Sequence, residues 1–146
     1  MIWVCLLFVS SLQSDEYAAA KQWIQQENGF SGPGSLDENT EGVRVGLQRI
    51  LHDYDIRTIV DVPCGDWRYM KHIDLRNVTY HGYDIGETIV ARNTRRYASD
   101  SIKFGVLNIL THVPPQADLV IVREFLFHIK PEVGKRAVDH IRQSKS

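Results

Sequence analysis

From position 58 onward the chain alternates short apolar runs with stretches whose apolar residues recur every three to four positions. The runs TIVDV (58–62), VTYHGYDI (78–85), IKFGVLNI (102–109) and ADLVIV (117–122) predict buried strands. Between and after them, DWRYMKHIDL (66–75), GETIVARNTRRYA (86–98) and PEVGKRAVDHIRQ (131–143) predict helices. The last of these has Pro131 suited to a first turn and Val133, Ala137, Val138 and Ile141 on one side. Upstream, EGVRVGLQRILHDY (41–54) places Val43, Leu47, Ile50, Leu51 and Tyr54 on one helical face, and Tyr17, Ala20 and Ile24 mark a shorter helix ending near Asn28. The Gly- and Pro-rich stretch 29–42 between these two helices reads as a turn or loop. Strands alternating with helices imply an α/β fold, a Rossmann-like, mostly parallel sheet with flanking helices joined by right-handed crossovers.

The N-terminal run has a different character. MIWVCLLFVSSLQS is apolar from Ile2 to Val9 and then small and polar, the profile of a secretory leader ending near Ser11 or Ser14. No Lys or Arg precedes the run, and a buried strand or helix is the alternative. The run is well short of the roughly 20 residues that span a bilayer, so no membrane span is expected. Residues 1–14 are accordingly set apart from a domain of 15–146, with the secretory pathway expected if the leader is used and the cytoplasm otherwise. Loss of the leader removes Cys5 and leaves Cys64 alone, which excludes an intramolecular disulfide.

Composition narrows the partners. With 146 residues, 43% hydrophobic and 24% charged, the chain is one domain's worth of ordinary globular sequence. A net charge of −1 offers no field for nucleic acid. Arg92, Arg95 and Arg96 read as a solvated helix face. Cys64 with His72 or His81 lacks the paired spacing of a zinc site, and no metal is expected. The sequence contains neither a nucleophile elbow nor a Gly-Lys-Ser phosphate loop.

In a sheet of this kind ligands bind outside the carboxyl ends of the strands, where the strand order reverses. The turn after Val62 lies there. Gly65 lets a ligand approach the backbone, and Asp84, about twenty residues on at the next strand end, sits where a carboxylate accepts hydrogen bonds from ribose hydroxyls. The turn lacks a G-x-G-x-x-G cradle and carries Asp61 and Asp66, which repel a pyrophosphate and disfavour a dehydrogenase-like dinucleotide site. The same acids complement the sulfonium and ammonium of S-adenosylmethionine.

The segments SGPGSLDENT, VDVPCGDWRYMKHIDL, YHGYDI and ADLVIVREFLFHI together resemble the class I S-adenosylmethionine-dependent methyltransferases, in particular small methyltransferase-domain proteins with an Asp-x-Pro/Gly-Cys-Gly-Asp signature. The resemblance runs from about Ser31 to the C-terminus. It implies that Asp61, Gly65 and Asp66 surround the methionine part of the cofactor, that Asp84 holds the ribose and that Ile85 packs on the adenine. Asn108, beside Ile109, falls where the family commonly has an acid for the adenine amino group. Pro63 replaces a frequent glycine.

Methyl transfer from a sulfonium is a displacement in which the enzyme aligns donor and acceptor and excludes water. For a small-molecule or other neutral acceptor, Glu124 and His128 are the candidate bases and Arg123 a candidate for orienting an anionic substrate. The alternative for all three is structural: a local ion pair and a packed histidine. Trp67 and Tyr69 offer faces to a cation, but a core role is expected for both. A non-catalytic binding module on the same fold is the alternative to an enzyme. The resemblance further implies strands beyond position 146, so the 117–122 strand is expected to be a bare sheet edge and a self-association surface.

Overall fold

The computed structural model describes residues 2–4, 31 and 33–144. The helix expected from Tyr17 to Asn28 lies outside these, as does most of the 1–14 segment. The four runs from Thr58 onward all form strands: β2 (Thr58–Asp61), β3 (Thr79–Asp84), β4 (Ile102–Val106) and β5 (Leu119–Ile121). The three helical patterns at 41–54, 86–98 and 131–143 form α1 (Glu41–Asp53), α2 (Glu87–Tyr97) and α3 (Pro131–Gln143). The fourth, 66–75, yields only a 3-10 turn over Met70–His72. Trp67 adopts φ 59°, a left-handed conformation that a side chain-bearing residue cannot continue as a helix.

All pairings in the sheet are parallel, in the order β1-β5-β2-β3-β4, with β1 formed by Ile2–Val4. This corrects the expected bare edge. The outer row of β5 is paired with β1 in the register Ile2↔Leu119 to Val4↔Ile121, so the backbone groups of β5 are engaged on both sides. A strand is also the alternative form expected of the N-terminal apolar run.

Period-two alternation divides the core. Ile59, Tyr80, Leu119 and Ile121 face α1, where Val43 and Leu47 meet Trp67, Tyr69 and Met70. Val60, Val62 and Val122 point the other way and pack with Ile109 and with Ala137 and Ile141 of α3. Asp61 follows Ile59 and Tyr80 onto the α1 side, and is 1% exposed. From β2 the chain winds outward through β3 to β4, then crosses back to place β5 on the other side of β2. The order therefore reverses between β2 and β5, which locates the crevice expected to take a ligand. Among the described residues, no helix is long and apolar enough to cross a membrane.

Candidate functional site

Past Asp61 the sheet continues for a few residues as a hydrogen-bonded turn. Val62 N–H donates to Ile121 O at 3.0 Å and Cys64 N–H to Tyr83 O at 2.8 Å, so the turn is pinned to both neighbouring strands. Gly65 then adopts φ 55°, and a Cβ there would overlap Ser31 Oγ. Glycine is required twice over, for conformation and for space.

Asp84, 2% exposed, holds this turn. Its Oδ2 accepts Gly65 N–H and its Oδ1 accepts Gly86 N–H, each at 3.0 Å. The Ile85 N–H is a third backbone donor to this carboxylate; of the roughly four acceptor positions a carboxylate offers, about one is left for a ligand's hydroxyl. Burial pushes the Asp84 carboxyl above the usual carboxylate range, against the pull of its backbone donors. From α2, Asn93 donates Nδ2–H to Gly65 O at 2.8 Å, so the peptide groups on both sides of Gly65 are held by side chains.

Asp61 lies at the crevice. Its Oδ2 accepts the Tyr80 hydroxyl at 2.7 Å, while its Oδ1 is buried without a partner. Burial drives its pKa from 3.8 to about 7, opposed by the Tyr80 hydrogen bond and by the charge of Arg123. An orphaned acceptor on a buried acid has a strong claim on a cationic or hydrogen-bond-donating ligand group. Asp66, by contrast, is spent within the chain. It accepts Ser31 N–H and Arg68 N–H, both at 3.2 Å, and pairs with Arg68 at 3.6 Å. Its own N–H donates to Ser31 Oγ at 2.8 Å.

At the end of β4, Asn108 Oδ1 accepts Leu110 N–H at 3.0 Å, which leaves its amide nitrogen for other uses. Ile109 is buried in the α3-side core and its carbonyl lies 2.7 Å from His140 Nδ1. Ile85 is half-buried between Asp84 and Gly86.

After β5 come Arg123, 6% exposed, and Glu124 with φ 56°. Arg123 donates to Ser35 Oγ at 3.1 Å and to Gly34 O, and its guanidinium lies 5.0 Å from the Tyr69 ring centroid. Only Nε has no partner. Glu124 Oε1 is 3.5 Å from Arg123, and its carboxylate lies against Gly34, where a Cβ would come within 2.5 Å of Oε2. His128 ends a 3-10 turn over Leu126–His128. Trp67 is committed to the core, in ring contact with Tyr80, Tyr97 and Phe104. Cys64 is a buried free thiol with its pKa pushed up by burial, the reverse of an activated nucleophile.

No protein-family model matches the chain, and no curated protein sequence matches it. Solved structures do. The N-methyltransferase NodS of Bradyrhizobium japonicum WM9, in complex with S-adenosyl-L-homocysteine, superposes with a TM-score of 0.66 at 15% identity, covering 89% of this chain and 67% of NodS. A SAM-dependent methyltransferase of Leishmania major gives 0.66 at 12% identity, covering 88% and 56%. The SAM-bound amino pentose methyltransferase CalS10 of Micromonospora echinaspora gives 0.57 at 16% identity, covering 95% and 55%.

The chain has the fold of the class I S-adenosylmethionine-dependent methyltransferases.

It spans from about half to two thirds of the length of these three proteins. Within the methyltransferase fold, Asp61, Gly65 and Asp84 converge on one turn, with Asn93, Tyr80 and Ser31 as partners that sequence reasoning did not single out. Among the described residues, no group of three or more His, Cys, Asp or Glu side chains is arranged to hold a metal ion.

Proposed function

We propose that the chain is an S-adenosylmethionine-dependent methyltransferase domain. The observation that carries the reading is the pair of buried carboxylates, Asp61 and Asp84, at the carboxyl ends of adjacent strands on either side of a left-handed Gly65. A buried acid with an orphaned oxygen suits a ligand bearing positive charge, and the turn's acidity disfavours a pyrophosphate. The residues present therefore fit S-adenosylmethionine better than a dinucleotide.

In this reading Asp84 holds the ribose with the acceptor capacity its backbone donors leave, and Gly65 and Asp61 flank the methionine end. Asp66 acts one step back, holding Ser31 against the glycine turn. Ile85 and Asn108 border the adenine, with Ile109 fixing the Asn108 turn in the core. When bound, the cofactor supplies an electrophilic methyl group on sulfur. The protein's own part is alignment and exclusion of water. Glu124, presented in a left-handed conformation at the end of β5, is the base proposed to take a proton from a neutral acceptor, with His128 as the second candidate.

Calorimetric titration tests this. S-adenosylmethionine and S-adenosylhomocysteine are expected to bind in about the micromolar range, with no competition from NADH. Absence of heat at about 1 mM ligand would overturn the assignment. Binding without transfer to any acceptor would instead favour a non-catalytic module.

A further inference from the structure

Ser31 and Pro33–Leu36 lie across the carboxyl edge of the sheet, fastened at two places. At one end Ser31 exchanges hydrogen bonds with Asp66, donating its N–H to Oδ2 and accepting Asp66 N–H on Oγ. At the other, Arg123 donates to Gly34 O and to Ser35 Oγ. The first fastening belongs to the turn after β2, the second to the turn after β5. The segment thus straddles the one place where the strand order reverses.

Both contacts leave no room for larger groups. A Cβ on Gly65 would overlap Ser31 Oγ, and one on Gly34 would lie 2.5 Å from the Glu124 carboxylate. Near these fastenings are buried polar atoms without partners: Asp61 Oδ1, Arg123 Nε and the Tyr69 hydroxyl. A core residue with no further task would not leave a carboxylate oxygen, a guanidinium nitrogen and a phenol unpaired within a few residues of one crevice.

We propose that Ser31 and Arg123 are positioning residues that fasten a strap, Ser31 with Pro33–Leu36, over the β2–β5 crevice, so that the strap closes over a ligand seated there and sets its rate of release. Arg123 then acts through the strap: four of its five N–H donors sit on the two nitrogens turned to Gly34 and Ser35, and the Tyr69 ring flanks its charge. The assignment of the ligand rests on the cofactor reading given above, whereas the fastening rests on the geometry alone.

Amide hydrogen exchange on the ligand-free protein separates the two. Arg123→Lys and the milder Ser31→Ala and Ser35→Ala are each expected to speed exchange at Gly34, Ser35 and Leu36 by about tenfold, with exchange in β2 and β3 unchanged. Stopped-flow release of S-adenosylhomocysteine should quicken by about tenfold in the same variants, with lysine at position 123 retaining more of the slow release than Arg123→Met. Unchanged exchange in both serine variants would overturn the fastening. Faster exchange with unchanged release would overturn the strap's place over the ligand. If the strap amides respond as expected while the parent chain fails to bind S-adenosylhomocysteine, the fastening is supported and the cofactor reading falls.

Discussion

Tyr80 donates its hydroxyl to Asp61 Oδ2 at 2.7 Å across adjacent strands, and neither side chain reaches solvent. The bond supplies the one partner that this carboxylate has, and it lowers a pKa that burial has raised to about 7. Tyr80→Phe removes the donor while keeping the ring that packs on Trp67 and Phe104. It is expected to cost about 1–3 kcal/mol, visible as a lower denaturant midpoint at unchanged slope. A midpoint equal to that of the parent chain would show that the carboxylate finds compensation elsewhere.

The same carboxylate makes stability fall as pH rises. Its folded pKa of about 7 lies above the 3.8 of an unperturbed carboxyl, so between these values the folded state holds a proton that the unfolded state has lost. The stabilisation is full below about pH 4 and is lost as pH rises through about 7, a change of roughly 4 kcal/mol at 1.36 kcal/mol per unit. Asp84, also raised by burial, contributes with the same sign. Asp61→Asn is expected to flatten this slope in denaturant titrations at pH 5 and pH 8. Binding of a cation at Asp61 favours the ionised acid, so affinity for S-adenosylmethionine should rise from pH 6 to pH 8 in the parent chain and stay level in Asp61→Asn. Affinity falling over that range would place the cation elsewhere.

What could be read from the sequence, and what could not, follows from how far apart the partners lie. The helix 131–143 was legible to the residue, because Pro131 marks its start and Val133, Ala137 and Ile141 keep one face. Asp61 and Asp84 were legible as acids at strand ends. Tyr80, Asn93 and Ser31 were not, since each meets its partner only in the folded chain, at separations of 19, 28 and 35 residues. Nothing in the local pattern of SGPGS distinguishes a flexible loop from a strap fastened to Asp66 and Arg123. The failed helix at 66–75 has a similar cause: Trp67 turns into the aromatic core in a left-handed conformation that propensity does not anticipate.

Asp84→Ala deletes both the acceptor for Gly65 N–H and the proposed ribose contacts. Each charge-assisted bond is worth roughly 1.5–3 kcal/mol before desolvation, so S-adenosylhomocysteine affinity is expected to fall at least about tenfold. Asp84→Asn keeps one acceptor oxygen and should lose less. Unchanged calorimetric affinity in a folded Asp84→Ala protein would remove this residue from the site.

Gly65→Ala meets two obstacles that a double mutant can separate. The left-handed conformation costs an alanine about 1–2 kcal/mol, and the new Cβ overlaps Ser31 Oγ. Combining it with Ser31→Gly removes the overlap but not the conformational cost. Ser31→Gly also deletes the Oγ acceptor for Asp66 N–H, so the double variant should lose less stability than the two single changes summed, keeping the conformational cost of about 1–2 kcal/mol and the cost of the lost hydrogen bond. Strict additivity of the two single changes would show that Ser31 does not press on the turn.

The pairing of β1 with β5 carries the last prediction. Leu119 and Ile121 are buried, Val120 is half-buried, and the run from Ala117 to Val122 carries one charge, Asp118, which accepts hydrogen bonds from Arg57 and Thr58 at the base of β2. Without β1, this strand would present an unpaired row of backbone donors and acceptors flanked by apolar side chains, the pattern that recruits a second chain. Deleting residues 1–4 is therefore expected to convert the protein to concentration-dependent oligomers in sedimentation velocity, while the intact chain associates less at the same concentration. Introducing Val120→Lys on the deletion background places a charge on the bared edge and should restore the smaller species. If the deletion variant sediments as the intact chain does, β1 is not what keeps the β5 edge from pairing, and the burial of Leu119 and Ile121 between the sheet and α1 suffices by itself.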